Sequence, residues 1–325
     1  MLAPFLPPPI PPFQEKVEVR VVLHQVRVLD REGEPIRHLR PEHFQVWVAG
    51  EPVSLLAVRW VGAEEEAQRP ISGESPSGRL VTFLVQRDLQ KARASGLLAF
   101  KHRAAQLIER LPPQDWVALV VQDSRLHLFA DYTRDHGQVA ELMRLHLFRP
   151  PPRRSPSEAG PSLAAELPEA VQKKAATHEQ GLLALAQALL RLPGTKVLVI
   201  LGWGLGRLWA PSFYLPSQYL QAVHLLERAG IPVFSLDITD ADYHTLELGL
   251  MQVAEDTGGF YAKTHLFPEQ AVRRLWGALA GYYELAFLRP PLPEGVHPVE
   301  VKLVGVSGQL FYRPTFADPL PVGLP

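Results

Sequence analysis

Three polar residues follow a strongly apolar run near the start of the second quarter of the chain. Leu80 to Val85 has the length and composition of a central strand that is covered on both faces. The loop after such a strand is where open α/β sheets bind ligands, and here it contains Gln86, Asp88 and Gln90. Mg²⁺ prefers carboxylate oxygens, but only one of these side chains is a carboxylate, and Arg87 stands beside it. The loop therefore predicts a poor cation site.

Strands and amphipathic helices alternate around this loop, from residue 79 to residue 281. Such alternation predicts an α/β domain with a mostly parallel, Rossmann-like sheet and helices on both faces. Residues 149–162 interrupt the pattern with a Pro-, Ser- and Arg-rich stretch, which we expect to be a disordered insertion.

Short strands with alternating apolar and polar residues precede and follow the α/β segment. They lie in residues 15–60 and 282–316, and neither set alone is large enough to bury a core. We expect the two sets to pair as a small β-sandwich into which residues 79–281 are inserted. Residues 61–78 then form a linker, residues 1–14 a Pro-rich extended tail and residues 317–325 a second tail.

Composition excludes several functions. A formal net charge of -1 without long runs of like charge argues against nucleic acid as a partner. The absence of Cys excludes thiolate metal sites and a Cys nucleophile. Six prolines break the apolar stretch at the amino terminus, so it predicts neither a signal peptide nor a membrane insertion. No cofactor is expected.

The order of motifs resembles a bacterial family related to the von Willebrand factor A domain. The opening motif of that family, D-x-x-G-x-P followed by L, F-x-V and G-x-P, is present as Asp30, Gly33, Pro35, Leu39, Phe44, Val46, Gly50 and Pro52. Later segments are also similar: LPGTKVLVIL, GIPVFSLDI, LGLMQVAEDTGGFYAKT and GYYELAFLRP. The resemblance extends from Phe13 to Phe316 and implies a von Willebrand factor A-like fold. It also implies an extracytoplasmic location if a signal peptide has been removed; otherwise a cytoplasmic location is expected.

Many members of this family hold a divalent cation at a metal-ion-dependent adhesion site. Its ligands come from D-x-S-x-S after the first strand, a Thr in a second loop and an Asp after a later strand. Aligned on VTFLV, the first three ligand positions are Gln86, Asp88 and Gln90, and the later Asp position falls at Gly202-Trp203-Gly204. The resemblance therefore implies a degenerate site that has lost its metal.

Other motifs at the carboxyl ends of the strands are weaker. GWGLG partly matches a dinucleotide loop, but residues 207–216 separate it from the next helix and no acidic partner follows at the expected distance. Asp237 is the acid best placed at the carboxyl edge for a catalytic role. The alternative is that it caps a helix or forms part of a turn. Neither HExxH nor GxSxG occurs.

Two classes of function remain. The favoured one is a non-enzymatic module that binds another protein, with Trp203, Trp209, Phe213 and Tyr214 as candidate contacts, because aromatic residues are enriched at interface hot spots. The same loop could instead fold back and bury its own aromatic side chains. The alternative class is an enzyme, a hydrolase or a nucleotide-binding protein, that uses the carboxyl edge of the sheet.

Overall fold

The structure is a computed structural model that describes residues 20–68, 78–149, 160–209 and 212–318. The Pro-rich stretch and most of the predicted insertion and second tail lie outside these residues. Its strands are β1 (Val21–Leu29), β2 (Phe44–Val48), β3 (Glu51–Val53), β4 (Leu55–Gly62), β5 (Leu80–Gln86), β6 (Trp116–Gln122), β7 (Leu126–Thr133), β8 (Lys196–Gly202), β9 (Arg207–Trp209), β10 (Ser212–Tyr214), β11 (Val233–Asp237), β12 (Tyr261–Lys263), β13 (Gly281–Leu288), β14 (Gly295–Leu303), β15 (Gln309–Tyr312) and β16 (Thr315–Asp318).

The α-helices alternate with the strands over the middle of the chain. They are α1 (Ala63–Gln68), α2 (Lys91–Glu109), α3 (His136–Glu141), α4 (Leu163–Glu166), α5 (Glu169–Lys174), α6 (His178–Arg191), α7 (Ser217–Arg228), α8 (Glu247–Thr257) and α9 (Pro268–Ala280). A single π-helical turn, Leu142–His146, follows α3. Within the described residues, no helix is both long and apolar enough to cross a membrane.

A six-stranded mixed sheet forms the centre of the α/β part. Its strand order is β12-β11-β8-β5-β6-β7. The first five strands pair in parallel, and only β7 is antiparallel to its neighbour β6. Because β5 lies in the middle, both of its faces are covered, which explains its unbroken apolar sequence.

Side chains on the two faces of this sheet enter separate cores. On β5, Val81, Phe83 and Val85 pack with residues of α2 and α9. Leu80 and Leu84 point to the opposite face and pack with residues of α6, α7 and α8. Helices therefore cover both faces, and Gln86, two residues beyond Leu84, shares the face of α6.

Two four-stranded sheets are built from strands of both chain ends. One has the order β15-β1-β13-β4 and the other β16-β14-β2-β3. Both contribute to a third hydrophobic cluster, in which Val26 and Phe287 of the first sheet meet Val46 and Val301 of the second. The chain leaves the first sheet at the end of β4, forms the α/β part, and returns to the same sheet at the start of β13. These two points are adjacent, because Gly62 is paired with Gly281.

Buried contacts join the sandwich-like sheets to the α/β part. Gly33, in the turn after β1, approaches α9 so closely that an added Cβ would lie 2.9 Å from the backbone nitrogen of Arg274. Gly33 also has a φ of +92°, which favours glycine. Arg27 of β1 donates to the carbonyl of Ala278 near the end of α9, at 3.1 Å. Within the α/β part itself, Arg79 forms a buried ion pair with Asp115, with 2.6 Å between Nη2 and Oδ2, and donates to the carbonyl of Leu279.

The structure differs from the sequence expectation in some segments. The stretch expected to be a linker begins with the end of β4 and helix α1, because Glu64 and its neighbours favour a helix. Helices α4 and α5 follow the predicted insertion, where Ser162 caps α4. The glycine-rich loop after β8 continues into the hairpin β9–β10, which no sequence pattern indicated.

Candidate functional site

The loops after β5, β8 and β11 meet at the carboxyl edge of the central sheet. These three strands are neighbours, so Gln86, Gly202 and Asp237 lie at adjacent strand ends. This edge contains most of the polar residues that the sequence singled out. It can be divided into the loop after β8, the acid–base pairs around Asp88, and a buried network around Asp237.

Side chains and a backbone carbonyl hold every amide of the loop after β8. The Oε1 atom of Gln86 accepts from the amides of Trp203 at 2.9 Å and Gly204 at 3.1 Å. The amide of Leu205 donates to the carbonyl of Leu246, and that of Gly206 donates to Oε1 of Glu179 at 2.8 Å. The loop is therefore fixed by its neighbours, and its amides are not available to bind a phosphate group.

Gln86 is buried at the position where the family resemblance implies a metal-ligating Asp. It is 1% exposed, and its Nε2 atom has no hydrogen-bond partner among the residues that the structure describes. An added Cβ on Gly202 would lie 2.9 Å from the Gln86 Oε1 atom, so the small residue leaves space for the amide group. Gln86 thus acts as a neutral link between two loops.

Asp88 and Arg93 form an ion pair beside this link. Oδ1 of Asp88 accepts from the amide of Gln90 at 2.7 Å, and Oδ2 accepts from Nη1 of Arg93 at 2.5 Å. Partial burial raises the pKa of Asp88, but the two hydrogen bonds and the Arg93 charge outweigh it and leave the pKa below its usual value. The side chain of Gln90 is exposed.

Trp203 lies beneath the Arg93 guanidinium. The central carbon of Arg93 is 3.3 Å from the centroid of the indole ring, an arrangement that a cation favours over an aromatic face. His178, the first residue of α6, contacts the same indole edge-on, with ring centroids 4.7 Å apart. Trp203 is therefore half-buried and packed on two sides.

The aromatic residues predicted as partner contacts fall into two groups. Trp209 is 75% exposed and Tyr214 is 42% exposed, both on the hairpin β9–β10, and Leu208 beside them is 60% exposed. Trp203 and Phe213 are only half-buried, and the ring of Phe213 lies where a Cβ on Gly206 would be. The hairpin therefore combines an inward-facing anchor with outward-facing apolar side chains.

A buried polar network surrounds Asp237 at the end of β11. Its Oδ2 atom accepts from the hydroxyl of Tyr261 at 2.7 Å and lies 2.9 Å from Nε2 of His244. Glu247, the first residue of α8, pairs with Lys263 at 2.7 Å. Burial raises the pKa of Asp237, but hydrogen bonds from His244 and its other neighbours outweigh this and lower it. Among the described residues, Asp237, His244 and Glu247 form the group that could hold a metal ion.

Sequence reasoning identified some of these residues and missed others. Gln86, Asp88 and Trp203 do lie together, because their strands are neighbours in the sheet. Arg93, His178 and Glu179 were missed, since each lies on a helix whose position depends on the tertiary fold. The spacing of His244 and Glu247, separated by two residues at the start of a helix, is the local signal that could have indicated the network around Asp237.

Comparison with known proteins identifies no family for the chain. No protein-family model matches the sequence, and no curated protein matches it significantly. Among solved structures, the von Willebrand factor type A protein from Catenulispora acidiphila is similar, with 10% identity and a TM-score of 0.44 over 92% of this chain and 72% of that one.

Human COPII-coat protein Sec24c is 12% identical with a TM-score of 0.44, over 80% of this chain and 46% of that one. The PilB minor pilin from Streptococcus sanguinis is 13% identical with a TM-score of 0.38, over 64% of this chain and 61% of that one. The chain thus spans less than two thirds of either protein. At such low identities and scores, these likenesses say nothing of what the chain binds. Its own sheet, with helices on both faces, is consistent with a von Willebrand factor A-like fold.

We expect the stability of this edge to depend on pH through His178. Burial lowers the pKa of His178 to about 4 from 6.5, so between these values the unfolded chain binds a proton that the folded chain excludes. The free energy of unfolding should therefore fall as the pH drops through this window, by up to about 1.4 kcal/mol per pH unit from this group. Denaturant unfolding at a series of pH values measures the slope.

His178→Gln should reduce that slope, whereas His224→Gln on the exposed side of α7 should leave it unchanged. His24 is buried with its pKa lowered to about 3, so it adds a similar slope in both variants. An identical pH dependence in wild type and His178→Gln would contradict the assignment.

Proposed function

We propose that this chain is a non-enzymatic interaction module that binds another protein through the hairpin β9–β10. The supporting observation is the exposure of Leu208, Trp209 and Tyr214 on a hairpin whose base is fixed by hydrogen bonds. Trp and Tyr side chains provide large contact areas and are frequent interface hot spots. A base that is already ordered lowers the entropic cost of binding.

The proposal includes the loss of the metal-ion-dependent adhesion site. Two amide side chains and one ion-paired carboxylate occupy the first three ligand positions, and the later Asp position has only Gly202, Trp203 and Gly204. Arg93 already neutralises Asp88 and places a positive charge beside it. A second cation would be repelled by this guanidinium, and it would find no second carboxylate to compensate its dehydration.

The charges beside the loop favour a binding module over an enzyme. A cleft of about 780 Å³ is lined by Arg87, Asp88, Asp123, His127 and His178, among others. Asp123 is bound by both Arg87 and His127. Partial burial raises its pKa, but these partners outweigh that effect and hold it well below its usual value. A carboxylate kept ionised in this way is a poor general acid or base near neutral pH. The amides of the loop after β8 already donate to Gln86, Glu179 and Leu246, so they cannot bind the phosphates of a nucleotide.

The proposal also includes a discontinuous domain arrangement. Residues 15–60 and 282–316 form one β-sandwich, residues 79–281 form the inserted von Willebrand factor A-like domain, and residues 61–78 connect them. The shared hydrophobic cluster supports this division, as does the pairing of β1 with β13 and β15 and of β2 with β14.

Truncation of an exposed side chain on the hairpin should weaken binding to the partner while the chain stays folded. Trp209→Ala should lower the affinity for a captured protein by about 2 kcal/mol, roughly 30-fold, with little change in melting temperature because the side chain is exposed. The partner is first isolated with the intact chain and identified by mass spectrometry, and its affinity for each variant is then measured by calorimetry.

Leu208→Ala and Leu56→Ala form a matched pair, since these leucines are 60% and 55% exposed on different sheets. Only Leu208→Ala should weaken binding. Unchanged affinity for Trp209→Ala and Leu208→Ala would place the interface elsewhere, and unfolding of Trp209→Ala would show that the hairpin belongs to the core.

Mg²⁺ and Ca²⁺ should leave the loop after β5 unaffected. An ion that binds only the folded chain would stabilise it by about 2.7 kcal/mol at 100 times its dissociation constant, so thermal unfolding in millimolar Mg²⁺ or Ca²⁺ is a sensitive measurement. We expect no rise in melting temperature that depends on Asp88. A rise that disappears in Asp88→Ala but persists in Asp237→Asn would refute the loss of this metal site.

Removal of residues 282–325 should expose the amino-terminal strands to protease. These strands would lose their partners β13, β14 and β15, while the six-stranded sheet keeps all of its own. Limited proteolysis followed by mass spectrometry should show cleavage within residues 21–62 and protection of residues 79–281. Deletion of residues 319–325 alone is the control. Protection of residues 21–62 after the longer deletion would contradict the discontinuous domain.

A further inference from the structure

Three residues with metal-ligating side chains converge at the end of β11, one strand away from the family's adhesion-site position. Asp237 ends β11, His244 lies in the loop that follows, and Glu247 opens α8. One ligand atom from each residue lies within 4.8 Å of the other two. The closest pair, Oδ2 of Asp237 and Nε2 of His244, is 2.9 Å apart.

This spacing is close to that of a coordination sphere. A metal bound at about 2.0–2.2 Å from nitrogen and oxygen ligands places those ligands about 3–3.5 Å apart. Glu247, whose ligand atom lies within 4.8 Å of the other two, would have to move closer to enter that range. One imidazole and two carboxylates suit borderline dications such as Zn²⁺ or Co²⁺.

The electrostatics of the cluster favour a bound cation. Asp237 is 1% exposed and Glu247 is 5% exposed, so two carboxylates are buried at one point. Lys263, paired with Glu247, supplies one compensating charge. Its side chain is 34% exposed and can turn to solvent, which would leave the Tyr261 hydroxyl, at 3.3 Å, as the neighbour of that Glu247 oxygen. His244 is the more accessible ligand, with 20% of its side chain exposed, and provides a route of entry.

Two buried hydroxyl groups close to Asp237 in the sequence have no hydrogen-bond partner in the part of the chain that the structure describes, which is a separate observation consistent with a ligand here. Ser235 lies two residues before Asp237, so its side chain is on the same face of β11. It is 0% exposed, and none of the described residues forms a hydrogen bond with its hydroxyl. The hydroxyl of Thr239, two residues after Asp237, is likewise buried and unpartnered. Buried polar atoms are normally bonded, and a hydrated ion would supply bonds here.

Hydrogen bonds from neighbouring residues also orient the Asp237 carboxylate. Tyr261 donates to Oδ2 of Asp237, and the amide of Thr239 donates to Oδ1 at 2.9 Å. Outer hydrogen bonds of this kind position ligands in metalloproteins. The carboxylate therefore has a fixed direction before any ion binds.

The geometry points to a site for one divalent transition-metal ion, with Asp237, His244 and Glu247 as its protein ligands and water in the remaining positions. Binding would tie the end of β11 to the start of α8. The carbonyl of Leu246, between two of these ligands, accepts from the amide of Leu205. The ion would therefore also steady the loop that leads to the hairpin β9–β10.

Co²⁺ titration of the intact, chelator-treated chain tests the site. We expect one Co²⁺ per chain with visible absorption typical of nitrogen and oxygen ligation, displaced by Zn²⁺. His244→Gln and Glu247→Gln should each weaken binding by at least the roughly 10–100-fold that loss of an outer-sphere partner costs. His265→Gln is the matched control, because His265 pairs with the neighbouring Asp240 outside the cluster.

Absence of stoichiometric binding, or binding that survives His244→Gln, would overturn the proposal, as would loss of binding in His265→Gln. If a variant fails to fold, X-ray absorption spectroscopy of the Zn²⁺-loaded wild-type chain decides the question without mutation. It should show a single imidazole in a shell of nitrogen and oxygen ligands. A shell with no imidazole, or with more than one, would reject these three ligands. Neither outcome depends on whether the hairpin binds a partner.

Discussion

Hydrogen bonds to the loop after β8 are the constraint on which the carboxyl edge depends. Gln86 reaches across from β5, Glu179 from α6 and Leu246 from the loop before α8, and together they take every amide from Trp203 to Gly206. Three separate elements are thus joined by one short loop. The Gln86 side chain makes its part of this link without carrying a charge. The same bonds place the exposed hairpin on an ordered base.

The sequence was most informative where burial is regular. The unbroken apolar run of β5 indicated a central strand, and the alternation of strands with helices indicated a mostly parallel sheet with helices on both faces, because these patterns follow directly from which faces are covered. The alternating residues around Leu285 predicted a strand with one covered face. The strand is present as β13, paired with β1 and β4, but it is buried along most of its length, and Glu284 is only 8% exposed.

Side-chain partners were harder to predict than elements. Glu179 binds Gly206, 27 residues later in the chain, and Gln86 binds Trp203 at a separation of 117. No local pattern encodes such pairs, since they depend on how helices and strands pack. The hairpin β9–β10 was missed for a different reason: its strands have three residues each, too few for alternation to be visible.

The ends of β5 and β11, which lie on either side of β8, differ in how their carboxylates are paired. Beside β5, Asp88 and Asp123 are both paired with arginines, so the loop has no spare negative charge. Around β11, Glu247 is paired with Lys263, whereas Asp237 is bonded to His244 and Tyr261 and has no lysine or arginine partner among the described residues. The carboxylates at the two strand ends therefore differ in how much positive charge already lies beside them.

The pairing of β4 with β13 has a mechanical consequence. Gly62 and Gly281 face each other across this pair, so the chain from α1 to α9 forms a loop closed at its base by the ladder between β4 and β13. A pulling force applied at residues 20 and 318 is carried by the sheets of the chain ends. The central sheet bears no tension until the β4–β13 ladder has been torn apart, so the hairpin keeps its shape while the ends are under load.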